Sequence, residues 1–401
     1  MKLPSSPGIR VLTTLALMIV GYCAVSRSFA SAWANVDPVA AFRFSGQDAR
    51  INARAALVMM QATKTASDRE AAARLAGKSF QRDGTAVPAA VALGFYSALA
   101  NDDNKGAAWF DYSEKLSRRD LPTQLYFIEK SVGDGDVGRA LYHYDVALRT
   151  SESAGQTLYP VLKNALADPG IQMALAKTLA RKPLWAPGFI GDVASTGPDY
   201  AAAAQLFIKV RRLKGEISPT SDVALISNLI AHGNMPVAWS YYTTIHPDAA
   251  GKLIRNADFN ATRDLSSPFD WQLSSGDGVT ADFSTIGDVS VLDYRLSPTV
   301  ASEVAQQLVF LPAGKYRLVS TVIESSQPVG SGPFWELRCT DGRSLGKLEL
   351  GQVASGVGRF AAEVIVPPDC AAQALVLTVR ASDDVQGASG QVDSVSMARV
   401  N

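Results

Sequence analysis

The chain has 401 residues, with 38 Lys+Arg balancing 38 Asp+Glu, three histidines and three cysteines. That length is enough for two or three domains with cores of their own, and zero net charge excludes a nucleic-acid binder, which needs a basic excess to neutralise phosphates. The balance hides an asymmetry: from Ile254 onward 17 acidic residues face 11 basic ones, and of those 11 only Lys315 and Lys347 are lysines.

The N-terminus, MKLPSSPGIRVLTTLALMIVGYCAVSRSFASA, places a basic flank (Lys2, Arg10) before an uncharged run from Val11 to Val25 and then small residues. Residues 1–34 therefore read as a cleaved signal peptide or a membrane anchor, and both readings stay open. The uncharged run is short of the roughly 20 residues of a spanning helix but can extend past Arg27 to Ala34, while Ala30-Ser31-Ala32 offers a cleavage site. Tyr22 before Cys23 argues against a lipoprotein. Either way the remainder is expected outside the cytoplasm, in the periplasm, attached to the inner membrane if the segment is kept. An oxidising compartment makes the other two cysteines, Cys339 and Cys370, an expected disulfide.

Between Gln47 and Pro247 apolar residues recur at three and four positions, in segments of about 12–16 residues punctuated by Gly, Asn, Asp and Pro, which predicts helices. Sliding ALANDDNKGAAWFDYSEKLSRRD onto KSVGDGDVGRALYHYDVALRTSE by 34 residues puts Gly106 on Ala140, Phe110 on Tyr144 and Ser113 on Ala147. A small residue, an aromatic four on and a small residue three further suit a helix that approaches its neighbours closely at the small positions. Leu93-Gly94 sits where the first helix of such a unit needs its own small residue, and NMPVAWSYYTTIHP, with Ala238 and Tyr242, is a poorer copy. On these residues the region 36–252, clearest over 86–150, resembles the tetratricopeptide-repeat proteins. The resemblance implies a stacked superhelix whose concave face binds a protein partner.

GDGDVG, residues 133–138, fits the dinucleotide fingerprint, but it falls in the turn between the two helices of the best repeat with no parallel-sheet pattern around it. No cofactor is expected. Asp134 and Asp136 lack the third oxygen ligand, central glycine and closing glutamate of a calcium loop. His143, His232 and His246 have no partner at metal-ligand spacing, so neither a metal site nor a catalytic residue is expected.

After PFDW come nine short alternating runs, from VTADFST to QVDSVSMARV, which predict a β-sandwich over 254–401. Alternation is expected to put Phe269, Trp271 and Leu273 on one core-facing side, and Trp335, Leu337 and Cys339 likewise. It leaves Asp293, Arg295, Arg317, Glu336, Arg338, Glu363 and Arg380 facing outward. Arginine forks suit bidentate recognition of carboxylates, so these seven are the expected contacts for an acidic polysaccharide, with the four arginines on one sheet face.

NADF before a Trp strand, the central LPAGKYRL and the closing VDSVSM resemble the jelly-roll carbohydrate-binding modules. The fold class is thus multidomain α plus β: an N-terminal membrane or signal segment, a helical repeat domain and a C-terminal jelly-roll sandwich. This combination resembles accessory proteins of bacterial surface-polysaccharide (exopolysaccharide) synthesis and export, which implies a non-catalytic scaffold. The alternative is a glycan-processing enzyme with acidic catalytic residues in the β half.

Overall fold

The structure, a computed structural model, describes residues 7–44, 48–62, 65–260, 267–354 and 356–400. Lys2 of the basic flank lies outside the described residues. The chain divides into two compact units, Met1–Leu158 and Tyr159–Asn401.

The first unit opens with α1 (Pro7–Trp33) and α2 (Pro38–Phe42). Three helical hairpins follow: α3 (Ala49–Ala62) with α4 (Ala66–Arg82), α5 (Val87–Leu99) with α6 (Asp103–Leu116), and α7 (Leu121–Gly133) with α8 (Val137–Thr150). The last two hairpins begin and end at residues 34 apart, Val87 with Leu121 and Leu116 with Thr150. Their caps repeat as well. Asp102 and Asp136 accept from Lys105 N and Arg139 N, and the residue before each cap, Asn101 or Gly135, holds a left-handed backbone (φ 60° and 71°) that ends the preceding helix. The glycine fingerprint at 133–138 is this turn and cap, repeated from the hairpin before it.

The small residues do what the spacing predicts. A Cβ at Gly94 would lie 2.9 Å from the Phe110 ring and one at Gly106 3.3 Å from the Ala98 backbone, so α5 and α6 touch where side chains are missing. Phe110 and Ala147 are fully buried and Ala140 and Tyr144 nearly so. His143 is a packing residue: it stacks on Phe127, its Nδ1 lies 2.8 Å from Gln124 Oε1, and burial together with Arg139 lowers its pKa below 6.5. The Glu114 carboxylate 3.8 Å away opposes that shift but is one-quarter exposed, and burial prevails.

Helix α9 (Ala154–Asn164) runs across the division. The second unit contains α10 (Pro169–Leu179), α11 (Ala186–Thr196), α12 (Tyr200–Arg212), α13 (Pro219–Ala231) and α14 (Met235–Ile245), then the strands. These are β1 (Gln272–Leu273), β2 (Ser275–Gly276), β3 (Val279–Ile286), β4 (Val289–Leu296), β5 (Ser302–Val309), β6 (Gly314–Ser325), β7 (Phe334–Cys339), β8 (Ser344–Glu349), β9 (Gly358–Val366), β10 (Gln373–Val379) and β11 (Ala388–Val400). They form two antiparallel sheets, one of order β1-β5-β10-β7-β8 and one of order β2-β3-β4-β11-β6-β9. Leu292, Tyr294, Tyr316 and Leu318 from the six-stranded sheet meet Trp335, Leu337, Leu375 and Leu377 from the five-stranded one in a single buried core. Across that core Trp335 Nε1 donates to Ser320 Oγ at 3.1 Å.

The disulfide forms as expected, Cys339 to Cys370, with 5.7 Å between the Cα atoms. Trp335, Leu337 and Cys339 face inward. Trp271 is also core, 3% exposed, packed on Trp335 and Phe259, with its Nε1 donating to Asn256 O at 3.0 Å. Phe269 is buried as expected, 1% exposed, but not by strand alternation. The chain is still in a turn there, β1 begins only at Gln272, and strand alternation does not apply; Phe269 packs instead on Trp239 and Tyr242 of α14. Beside it Asp270 accepts from Tyr242 Oη (2.7 Å), Ser267 N (2.9 Å) and Ser267 Oγ (2.8 Å), and pairs with Arg255 at 3.0 Å. This joint ties the last helix of the array to the sandwich.

Candidate functional site

Because the sheets pack face to face, their outer faces point away from each other, and the seven polar residues are divided between them. Glu336 and Arg338 lie on β7, with Arg380 just past the end of β10, all on the five-stranded sheet. Asp293 and Arg295 (β4), Arg317 (β6) and Glu363 (β9) lie on the six-stranded sheet. The expectation that the four arginines share one face is therefore overturned. Alternation reports which side of its own sheet a residue faces, not which sheet its strand joins.

On the five-stranded face the charges satisfy one another. Glu336, 9% exposed, accepts from Ser344 Oγ at 2.6 Å and lies 3.5 Å from Lys347 and 4.0 Å from Arg338. Arg338 pairs with Glu303 at 2.8 Å. Arg380 forks onto both oxygens of Glu349 at 2.7 Å, donates to Gly332 O and covers the Phe334 ring at 4.2 Å. Those bonds hold the Glu349 carboxyl below the ordinary carboxylate range. Lys347 covers the same ring at 4.6 Å. Arginine is needed here to roof Phe334 and fork onto a carboxylate at once.

The six-stranded face is open. Asp293 accepts from Gln391 Nε2 at 3.1 Å and lies 3.9 Å from Arg295, whose side chain is 77% exposed. Lys315 takes Glu363 at 2.6 Å, leaving Arg317, the cross-strand neighbour of Glu363, without an ion pair among the described residues. Arg359, four positions before Glu363 on β9, projects from this face too and also has no ion pair among the described residues. The sequence reading missed Arg359, though the alternation that selected Glu363 selects it equally. Asp282 stands directly opposite Asp293 in the β3–β4 register. The face thus carries a cross-strand carboxylate pair at one side and, at the other, two guanidinium groups without an ion pair among the described residues. Among the described residues no group of three or more His, Cys, Asp or Glu is placed to hold a metal.

Neither a protein-family model nor a curated protein matches the chain. Among solved structures, the sandwich is similar to carbohydrate-binding modules. TmCBM61 in complex with beta-1,4-galactotriose shares 14% identity over 38% of this chain and 100% of its own, with a TM-score of 0.27. A family 16 carbohydrate-binding module shares 17% over 37% and 100%, with a TM-score of 0.28. A sugar-binding protein from Bacteroides thetaiotaomicron, described as putative, shares 10% over 37% and 100%, with a TM-score of 0.27.

Proposed function

We propose that this chain is a non-catalytic, exported scaffold of surface-polysaccharide assembly. Its tetratricopeptide-like helices hold a protein partner, and the six-stranded face of the sandwich contacts an acidic polysaccharide in the periplasm. The observation that carries the glycan contact is the pair Arg317 and Arg359: exposed guanidinium groups without ion pairs among the described residues, on a broad polar sheet, while the arginines of the other sheet are occupied. A free fork on a solvated face can take a carboxylate in two parallel bonds. The 34-residue periodicity of α5–α8, with close approach at Gly94 and Gly106, supports the scaffold half.

The test is retention of the full chain on immobilised alginate against immobilised dextran, across a salt series, with turnover of both glycans assayed in parallel. Preferential retention on alginate, weakened by salt and by Arg317→Ala with Arg359→Ala, is expected. Equal retention of the double variant refutes the site. Turnover abolished by Asp293→Asn would favour the enzymatic alternative, for which the opposed Asp282 and Asp293 are the carboxylates to suspect.

A further inference from the structure

We propose that α1 is retained as a membrane anchor whose last two turns belong to the core of the helical unit, and that Phe29, Trp33 and Phe44 rest in the lipid–water boundary of the bilayer it crosses. This inference is independent of what the sandwich binds. Within α1 the stretch Val11–Trp33 is 23 residues long. The part ahead of the packed turns, 11–28, measures ~27 Å at ~1.5 Å per residue, which reaches across most of a hydrocarbon core of ~30 Å and leaves Phe29 and Trp33 at its edge. Along most of that length none of the described residues covers it: Leu12, Leu17 and Val20 are 69%, 72% and 65% exposed. An apolar surface of that extent needs a partner, and lipid is the one its length fits.

The C-terminal end behaves differently. Ala30 is fully buried and Ala34 5% exposed, packed with Ala41 and Ile51 in a small core of the unit. Asn35, just past the helix, accepts from Arg54 of α3. A removable signal is a segment its domain can fold without. Here a cut after Ala32 would take Ala30 out of a packed core and uncover Ala41 and Ile51. The Ala30-Ser31-Ala32 site is moreover wound inside α1, where its backbone is not extended for a protease.

Where the helix meets the unit, aromatic rings gather on the outside. Phe29 stacks on Trp33 at 5.5 Å and meets Phe44 edge-on at 5.7 Å, yet the three are 47%, 44% and 45% exposed, and Val36 beside them 84%. Exposed aromatics at the end of an apolar helix suit the headgroup level of a bilayer, where a ring can keep one side apolar and the other wet. The charges agree. Arg27, Arg50 and Arg54 line, with Asp48, a cavity of about 410 Å³ at this end of α1, and because Arg50 pairs with Asp83 at 3.1 Å, Arg27 and Arg54 are its cations without an ion pair among the described residues. Cations there meet phospholipid phosphates, and Arg27 reaches toward them from one turn deeper.

Two measurements on the full chain test this. The chain, tagged at its C-terminus and exported by a bacterial host, is expected in the alkali-washed membrane fraction with an intact mass that includes α1. A soluble species beginning after Ala32 overturns retention. The purified chain is then reconstituted into phosphatidylglycerol vesicles with brominated acyl chains, which quench tryptophan on contact. Of the six tryptophans, Trp33 should account for most of the quenching, so Trp33→Phe should remove most of it while leaving the melting temperature unchanged. Quenching undiminished in Trp33→Phe, or none in the parent, overturns the placement of the aromatic cluster in lipid.

Discussion

Replacing Asp270 with alanine is expected to uncouple α14 from the sandwich. Asp270 is 22% and Arg255 19% exposed at the side chain, so the pair is mostly withdrawn from water. Its loss leaves Tyr242 Oη and two groups of Ser267 without their acceptor and Arg255 with only Tyr242 Oη and the Asp248 carboxylate 4.0 Å away. Breaking a fully buried pair costs about 3–5 kcal/mol; partial solvation of both partners brings the expected loss to about 2–4 kcal/mol. In a domain of about 150–250 residues each kcal/mol moves the melting point by about 2–4 °C, so a drop of about 4–16 °C should appear in near-ultraviolet circular dichroism. Tyr242→Phe keeps the ring against Trp239 and Phe269 and loses only the hydroxyl, for about 1 kcal/mol. The two changes should fall short of additivity by about 0.5 kcal/mol or more, because both remove the same bond. A drop within 1 °C for Asp270→Ala, or strict additivity, would refute the joint. For the same reason a fragment starting at residue 254 should melt below one starting at 159.

The disulfide Cys339–Cys370 closes a loop of sequence separation 31; its reduction is expected to cost about 3–4 kcal/mol, read as a lower melting point in reductant that Cys339→Ala with Cys370→Ala reproduces. Ala140→Leu should overpack the α7–α8 hairpin by about 1–3 kcal/mol, whereas Arg139→Leu, at an exposed position with only a cation–π contact to Phe127, should cost at most about 1 kcal/mol; equal melting points would mean the repeat register is wrong. For His143 the unfolded chain binds a proton near 6.5 and the folded one only at lower pH, so stability is full above 6.5 and declines as pH falls from there toward the folded value. His143→Gln should flatten that decline in melting curves taken from pH 7.5 to 5.5, and an unchanged slope would contradict burial as its cause.

What could be read from the sequence was what is local. A helical hairpin needs its cap, its left-handed residue and its small residues at fixed offsets, so Asp102 and Asp136, or Gly106 and Ala140, repeat visibly. Each strand needs only its own alternation, which is why all nine runs after PFDW became strands and why Trp335, Leu337 and Cys339 fell inward. Pairing is not local. β10 lies between β5 and β7, and β11 between β4 and β6, neighbours that no short pattern encodes. The Asp270 joint was hidden for the same reason, its partners Tyr242 and Arg255 standing 28 and 15 residues away on segments with a different periodicity.

The arginine count misled because a preference for arginine over lysine has two causes that composition cannot separate. At Arg380 the planar group must lie on Phe334 while forking onto Glu349, and at Arg338 it must reach Glu303 across β10 from β7. Lysine fits neither geometry as well, so these arginines are accounted for by the sheet itself. Arg317 and Arg359 have no such ion pair among the described residues. They stand on neighbouring strands, in the register where Arg317 faces Glu363 and Arg359 faces Thr321, and Glu363 is already taken by Lys315. A guanidinium held on a rigid strand without an internal acceptor is the arrangement that an external carboxylate would complete at little cost in ordering. Of the four arginines expected on one face, Arg338 and Arg380 are thus accounted for by the five-stranded sheet, while Arg295 and Arg317 stand on the six-stranded face, where Arg359 joins them.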